Sequence, residues 1–262
     1  MKNRKKTLIL HKFQIMLSLF KSKPLLKDLI PTNYVDIHAH FLPGIDDGAQ
    51  NLSETKQLLE AMKELGFSQC IATPHTMKNV WNNTTQSIQA AVTNVKTNLP
   101  TLSKDLQIKA ASEYFLDENI ILQVQEDKLL TLKDNLLLVE MSYLNAPLQL
   151  FDFLFELQLK GYQLILAHPE RYTYYHESRS NFDKLKKAGC LFQLNLLATV
   201  GYYGKEVAEI ANYLLNHQMY DFVGSDIHHL NHIKAFQNKI VIKNQKELMQ
   251  VIEKNRFFSQ SL

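Results

Sequence analysis

From Tyr34 onward the chain repeats one alternation seven times: a short apolar run, then a helical pattern. The runs are Val35–His40, Gln69–His75, Gln107–Phe115, Asn135–Ser142, Gln163–His168, Leu191–Leu196 and Asp221–Asp226. Apolar runs separated by helices read as parallel strands covered on both faces. Seven such strands in one sheet predict an α/β fold closed into a barrel, with an open doubly wound sheet as the alternative. A length of 262 residues suits one such barrel. No fixed-period repeat or charge block marks a second domain, so residues 34–262 are expected to form one.

The helices carry their own punctuation. Asn51 can cap a helix over Ser53–Leu65, with Glu54 completing a capping-box pattern and Gly66 ending it. Leu58, Leu59, Met62 and Leu65 form its apolar stripe. Similar helices are expected at Leu148–Lys160, Asn181–Ala188, Lys205–His217 and Gln245–Asn255. Thr76–Thr84 and Asn231–Phe236 read as loops after the second and seventh strands, the side on which barrels shape their pockets.

Six of the seven runs place a His, Asp or Glu at or beside their C-terminal end. In order these are His38 and His40, His75, Glu113, Glu140, His168, then Asp226 and His228. The sixth run, the exception, offers Asn195 instead, and Asp46 and Asp47 follow the first. Taken singly, each is an ordinary hydrogen-bonded rim residue. Together they converge on one rim, and burying so many ionisable groups is costly unless cations neutralise them. The strand period of two turns both imidazoles of His38-Ala39-His40 to one face, and Asp226-Ile227-His228 repeats the device. Nitrogen and oxygen donors without thiolates suit Mn²⁺, Fe or Zn²⁺. Nine donors exceed the needs of one ion, so two or three ions sharing a carboxylate are expected. His11, His176 and His217 are given no function.

Composition removes other classes. The net charge of +3 is too small to argue for nucleic acid. Two cysteines, Cys70 and Cys190, lie in apolar runs, which excludes a disulfide framework and suits a reducing cytoplasm. No run is long enough to span a bilayer. Residues 1–33 differ from the rest: Lys2, Arg4, Lys5, Lys6, Lys12, Lys21 and Lys23 precede the first acid, Asp28. They read as a basic leader, either frayed and upstream of a natural start at Met16, or in weak contact with an anionic membrane surface.

The His38-x-His40 opening, Thr73-Pro74-His75, Glu113, Glu140, His168 and the closing Asp226-x-His228 resemble the polymerase and histidinol phosphatase (PHP) family. Within it, Pro43-Gly44-Ile45-Asp46-Asp47-Gly48 and Ala167-His168-Pro169-Glu170-Arg171-Tyr172 resemble the bacterial tyrosine-protein phosphatases of capsule and exopolysaccharide loci, the CpsB/CapC-like group. The resemblance spans Tyr34 to Phe236 and rests on nine ordered positions. It implies a distorted (β/α)7 barrel and a trinuclear site of Mn²⁺, with Fe or Zn²⁺ as alternatives. Carried over by position, His38, His40, Glu113 and Asp226 would hold one ion; Glu113, Glu140 and His168 a second; Asp47, His75 and His228 a third. Asp47 is preferred to Asp46 on motif position alone.

Arg171, three residues beyond His168, would clamp phosphate oxygens with its guanidinium, while Tyr143 and Tyr172 would form pocket wall. The partner implied is a phosphotyrosine protein, a bacterial tyrosine kinase of polysaccharide export; an oligomer is compatible. Related enzymes carry a second arginine after the final Asp-x-His, where this chain offers His232 or Lys234. The alternatives are a small-molecule phosphatase acting on a substrate such as histidinol phosphate, a nuclease module, or an inactive metal-binding protein.

Overall fold

The computed structural model describes residues 22–126 and 128–259, so the first 21 residues, Met16 among them, lie outside the described residues. The parallel strands are β1 (Tyr34–Ala39), β2 (Phe67–Ala72), β3 (His75–Thr76), β4 (Lys109–Ala110), β5 (Glu113–Phe115), β6 (Leu136–Glu140), β7 (Gln163–Ala167), β8 (Leu191–Asn195) and β9 (Phe222–Gly224). They form a three-stranded sheet, β1-β2-β4, and a six-stranded sheet, β3-β5-β6-β7-β8-β9.

Two expected strands are therefore broken in two. Pro74, which cannot donate a ladder hydrogen bond, separates β2 from β3, and Ala111-Ser112 separates β4 from β5. The breaks are bridged rather than open. Ala111 N–H donates to Ala72 O, and Glu113 N–H donates to Pro74 O, so each broken run still follows its neighbour. At the remaining seam Asp226 N–H donates to His38 O at 2.7 Å and His40 N–H to Ile227 O at 2.8 Å. The ring is closed, a distorted seven-run α/β barrel.

Val35, Ile37, Leu138, Ile165 and Phe258 meet in one buried cluster. Their strands β1, β6 and β7 are not all neighbours in the ladder, so this cluster fills the interior of the ring. Phe258 reaches it from the C-terminal turn. Asn255 holds that turn by donating to Val35 O and Val223 O and accepting from Val223 N–H. A second, larger core lies between the strands and the surrounding helices.

Helices form near their expected bounds, at Leu52–Glu64, Leu150–Leu159, Ser180–Lys187, Lys205–Asn216 and Gln245–Lys254. Asn51 accepts from Glu54 N–H, while the Glu54 carboxylate reaches Gln50 N–H rather than that of Asn51. Asn231–Phe236, expected as a loop, is mostly helix, Leu230–Ala235. Thr85–Asn98, not anticipated, is a helix capped reciprocally by Thr84 and Ser87, with Ile88, Ala91, Val92 and Val95 buried. Of the leader, Leu26 is fully buried, and Pro24 O accepts from Ile240 N–H.

Gly224 sits where β9 passes β1 and β8. A Cβ there would lie 2.5 Å from Gln193 Nε2 and 2.6 Å from His38 Cβ. Gly224→Ala should therefore destabilise the barrel by about 1–3 kcal/mol through overpacking, lowering the thermal midpoint by several degrees. An unchanged melting curve would show that the strands can part there without penalty.

Candidate metal centre

The barrel delivers all nine sequence-derived side chains to one rim. Each belongs to at least one group whose ligand atoms lie within 4.8 Å of one another: His40, Asp47, His75 and His228; His38, Glu113 and His168; His38, His40 and Asp226; His75, Glu113 and Glu140. These groupings overlap the sets implied by the resemblance without repeating them. Glu140 falls with His75 rather than His168, and His40 joins the Asp47 group.

Glu113 is the hub. It has no exposed surface, and its Oε2 lies 3.1 Å from His38 Nε2, 3.5 Å from His40 Nε2 and 3.1 Å from His75 Nδ1. Its Oε1 lies 3.0 Å from His168 Nε2. Two of the nine residues, His168 and Asp226, adopt left-handed backbone with φ of 36° and 52°. For residues other than glycine this costs about 1–3 kcal/mol each and is a mark of functional sites.

Asp46 and Asp47 divide their work in a way that the motif alone does not settle. Asp47 is half-exposed and places Oδ1 3.4 Å from His75 Nε2 and 3.3 Å from His228 Nε2. Asp46 is buried and turned away from the cluster: its Oδ2 accepts from His40 Nδ1 at 2.7 Å, and its Oδ1 accepts from Gly48 N–H. That bond fixes the His40 tautomer and leaves Nε2 for the centre, the usual outer-shell arrangement behind a metal-binding imidazole. The loop is held tightly, since a Cβ on Gly48 would overlap His40 O. Gln193 serves His38 similarly, accepting from Nδ1 at 2.8 Å. A buried polar residue inside an apolar strand, two before Asn195, was the signal for it.

Asn195 orients Asp226. Its Nδ2 donates to Asp226 Oδ2 at 2.8 Å and to Tyr203 Oη at 3.1 Å. Arg171 Nη1 donates to the same Oδ2 at 2.8 Å, so Oδ1 is left to face His38 and His40. Glu170 supports Asn195 from below, accepting from its N–H and from Tyr220 Oη. Burial pushes the Glu170 carboxyl up to about 7.

Charge within the cluster is balanced internally. Burial works against every ionised group. Even so, Glu113 and Asp226 keep His38 above its ordinary value, Asp46 keeps His40 well above, and Glu140 brings His75 up to about 9. Burial would likewise raise the acids. The facing imidazoles override it, holding Glu113 and Asp226 well below the carboxylate range and Asp46 at about 2.

Hydrogen bonding does not account for all of these donors. His75 Nδ1 lies 2.7 Å from Glu140 Oε1 yet has hydrogen-bond geometry to no partner, and His168 Nδ1 is also buried without one. Buried N and O donor atoms crowded within 4.8 Å of one another fit divalent cations.

The cluster opens into a cavity of about 580 Å³. Arg171 enters it between the rings of Tyr143 and Tyr203, 4.6 Å and 4.3 Å from their centroids. Trp81, stacked on His75 at 4.7 Å, forms part of the wall, whereas Tyr172 is fully buried behind it. No second cation enters from the last loop. His232 accepts from His228 N–H, and burial with the neighbouring His229 lowers its pKa to about 4, so it is neutral. Lys234 is exposed and turned to Asn231.

Residues 34–253 match the profile of a family described as "Capsular polysaccharide synthesis, CpsB/CapC". The chain belongs to the CpsB/CapC family. Among curated CpsB/CapC relatives, it is 28% identical to tyrosine-protein phosphatase YwqE of Bacillus subtilis, over 75% of this chain and 78% of that one. It is 24% identical to tyrosine-protein phosphatase CpsB of Streptococcus pneumoniae, over 75% and 84%. A crystal structure from work on YwqE of Bacillus subtilis and CpsB of Streptococcus pneumoniae, described as unique metal-dependent tyrosine phosphatases, superposes with a TM-score of 0.72. That match has 26% identity and covers 86% of this chain and 88% of the other.

Asp46→Ala should weaken divalent-ion binding by about 10–100-fold, measured by titrating Mn²⁺ into chelator-stripped protein; wild-type affinity would separate Asp46 from the centre. Imidazoles that hold protons in the absence of a cation must release them to bind one. With His75 at about 9, affinity should fall as pH drops from 9 towards 6. Calorimetry in buffers of differing ionisation enthalpy reads the released protons directly, and an affinity flat across that range would contradict the assignment.

Proposed function

We propose that this protein is a metal-dependent protein-tyrosine phosphatase, with residues 34–262 as its catalytic domain. Its substrate is a phosphotyrosine protein, a bacterial tyrosine kinase controlling capsular or exopolysaccharide synthesis. The observation that carries this reading is the cavity in which Arg171 stands beside six members of the nine-residue donor cluster, Asp47, His75, Glu140, His168, Asp226 and His228. Membership of the CpsB/CapC family supports the substrate class. Two or three ions, Mn²⁺ by preference, would be held by His38, His40, Asp47, His75, Glu113, Glu140, His168, Asp226 and His228. When bound, such ions supply Lewis acidity towards the phosphoryl oxygens and the attacking water.

The chain's own residues do the rest. Arg171 is fixed before substrate arrives: Asp226 holds Nη1 and two tyrosine rings hold its plane. Its remaining N–H groups suit bidentate contact with a phosphate. Catalysis of this kind depends on donors placed in advance where charge develops, so little reorganisation accompanies reaction. Trp81 and Tyr143 line the same cavity, beside His75 and Arg171. The buried free thiols of Cys70 and Cys190 suit a cytoplasmic setting. Among the described residues no helix is long and apolar enough to cross a membrane.

The test is phosphate release from a phosphotyrosine peptide and from histidinol phosphate, with Mn²⁺ supplied or chelated. Hydrolysis of the peptide, abolished by chelation and restored by Mn²⁺, is the expected result; preference for histidinol phosphate would overturn the substrate assignment. Arg171→Ala should lower kcat by about 10²–10³-fold, as loss of one preorganised charge contact does, while the protein still takes up its ions. Unaltered kinetics in that variant would remove Arg171 from the reaction.

A further inference from the structure

A second cavity of about 510 Å³ adjoins the catalytic one, sharing Phe115 and Ser142 with it. Its two walls continue the two strands that carry the central carboxylates. Beyond Glu113, β5 runs into Phe115, Asp117 and Glu118; beyond Glu140, β6 runs into Ser142, Pro147 and Leu148. Anything bound at the metal centre therefore has this groove beside it, only a few residues along either wall.

The groove is part apolar, with Asn119, Asn145 and Gln149 among its lining residues, and has an acidic lip. Phe153, from the Leu150–Leu159 helix, closes its floor. Leu148 is 103% exposed and Leu144, which lines the first cavity, is 88% exposed. Leu144 and Leu148, with Phe151 and Phe155 of the following helix, expose apolar surface beside the first cavity of the kind that marks interaction sites where it is contiguous. Glu118 is exposed at the start of the Glu118–Glu126 helix, while Asp117 caps that helix by accepting from Asn119 and Ile120 N–H.

We propose that this groove binds the polypeptide flanking the phosphorylated tyrosine, seating an apolar side chain on Leu148 and Phe153 and a Lys or Arg beside Glu118. The proposal rests on the phosphatase reading above and adds to it a choice among phosphotyrosine sites. An extended segment advances about 3.3 Å per residue, so residues close in sequence to the phosphotyrosine are the ones read. A small aryl phosphate fills only the first cavity and does not sense the groove.

The experiment compares p-nitrophenyl phosphate with phosphotyrosine peptides carrying Lys or Glu at the flanking positions, using wild type, Leu148→Ser and Glu118→Lys, all loaded with Mn²⁺. Wild type should favour the Lys peptide in KM by about two- to fivefold, the size of an exposed ion pair, and Glu118→Lys should reverse the order. Leu148→Ser should raise KM for the peptides by about tenfold through lost apolar contact, with p-nitrophenyl phosphate kinetics unchanged in both variants. Peptide and small-substrate constants that move together, or peptides that respond to neither substitution, would overturn the proposal. Fluorescence anisotropy with a non-hydrolysable phosphonate peptide reads the groove without turnover. If p-nitrophenyl phosphate is not hydrolysed at all, the phosphatase reading fails, while the anisotropy still decides for or against the groove by the same differences between variants.

Discussion

Glu113 is a carboxylate with no solvent, surrounded by four imidazoles. A carboxylate can be taken out of water only if charge and hydrogen bonding replace what hydration supplied. Everything around the rim follows from that need. The imidazoles answer it, and the outer nitrogens of His40 and His38 are in turn fixed by Asp46 and Gln193. Glu170 and Asn195 then align Asp226 from below. Such a chain of partners is sound only when every member is satisfied. Two buried imidazole nitrogens, Nδ1 of His75 and Nδ1 of His168, are the members of this chain without a hydrogen-bond partner.

The barrel's irregularity serves the same end. Were β2 and β4 to continue unbroken, the strict alternation of side chains would set the direction of His75 and Glu113 by register alone. The interruption at Pro74 and the one at Ala111-Ser112 fall immediately before those two residues. They let short strands β3 and β5 pair in their own register, His75 opposite Glu113. At β7 and β9 the same re-aiming is achieved by the left-handed turns at His168 and Asp226. Four of the nine side chains thus reach the centre through a departure from regular strand geometry.

Most of the fold was legible because apolar periodicity reports which face of an element is covered, and that face is what a barrel needs. The strand-end residues were legible for the same reason: strands of one hand in one ring share a rim. What stayed hidden depended on side-chain direction across elements. Nothing in Asp46-Asp47 tells which carboxylate turns inward; the geometry of the Gly48 loop decides it. Asn195 looked like the exception among strand ends, although its amide is bound to Asp226. The helix at Thr85–Asn98 did carry a signal, a Thr84-x-x-Ser87 start before Ile88, Ala91, Val92 and Val95. Ser87 replaces the usual glutamate of that motif, and the preceding run of polar residues concealed it. The two-residue strands escaped notice because pairing, not pattern, defines them.

Asp226 faces two ways. One oxygen is turned to His38 and His40, the other to Arg171 and Asn195. The cation and anion sites proposed here would therefore be linked through a single carboxylate, and thermodynamic reciprocity would apply to them. An anion that draws Arg171 towards itself alters how much electron density Asp226 can lend to a cation, and a cation alters the hold on Arg171 by the same free energy. Occupancy of either site becomes a reporter of the other. For the phosphatase proposed above, product binding and ion retention would then be two faces of one equilibrium.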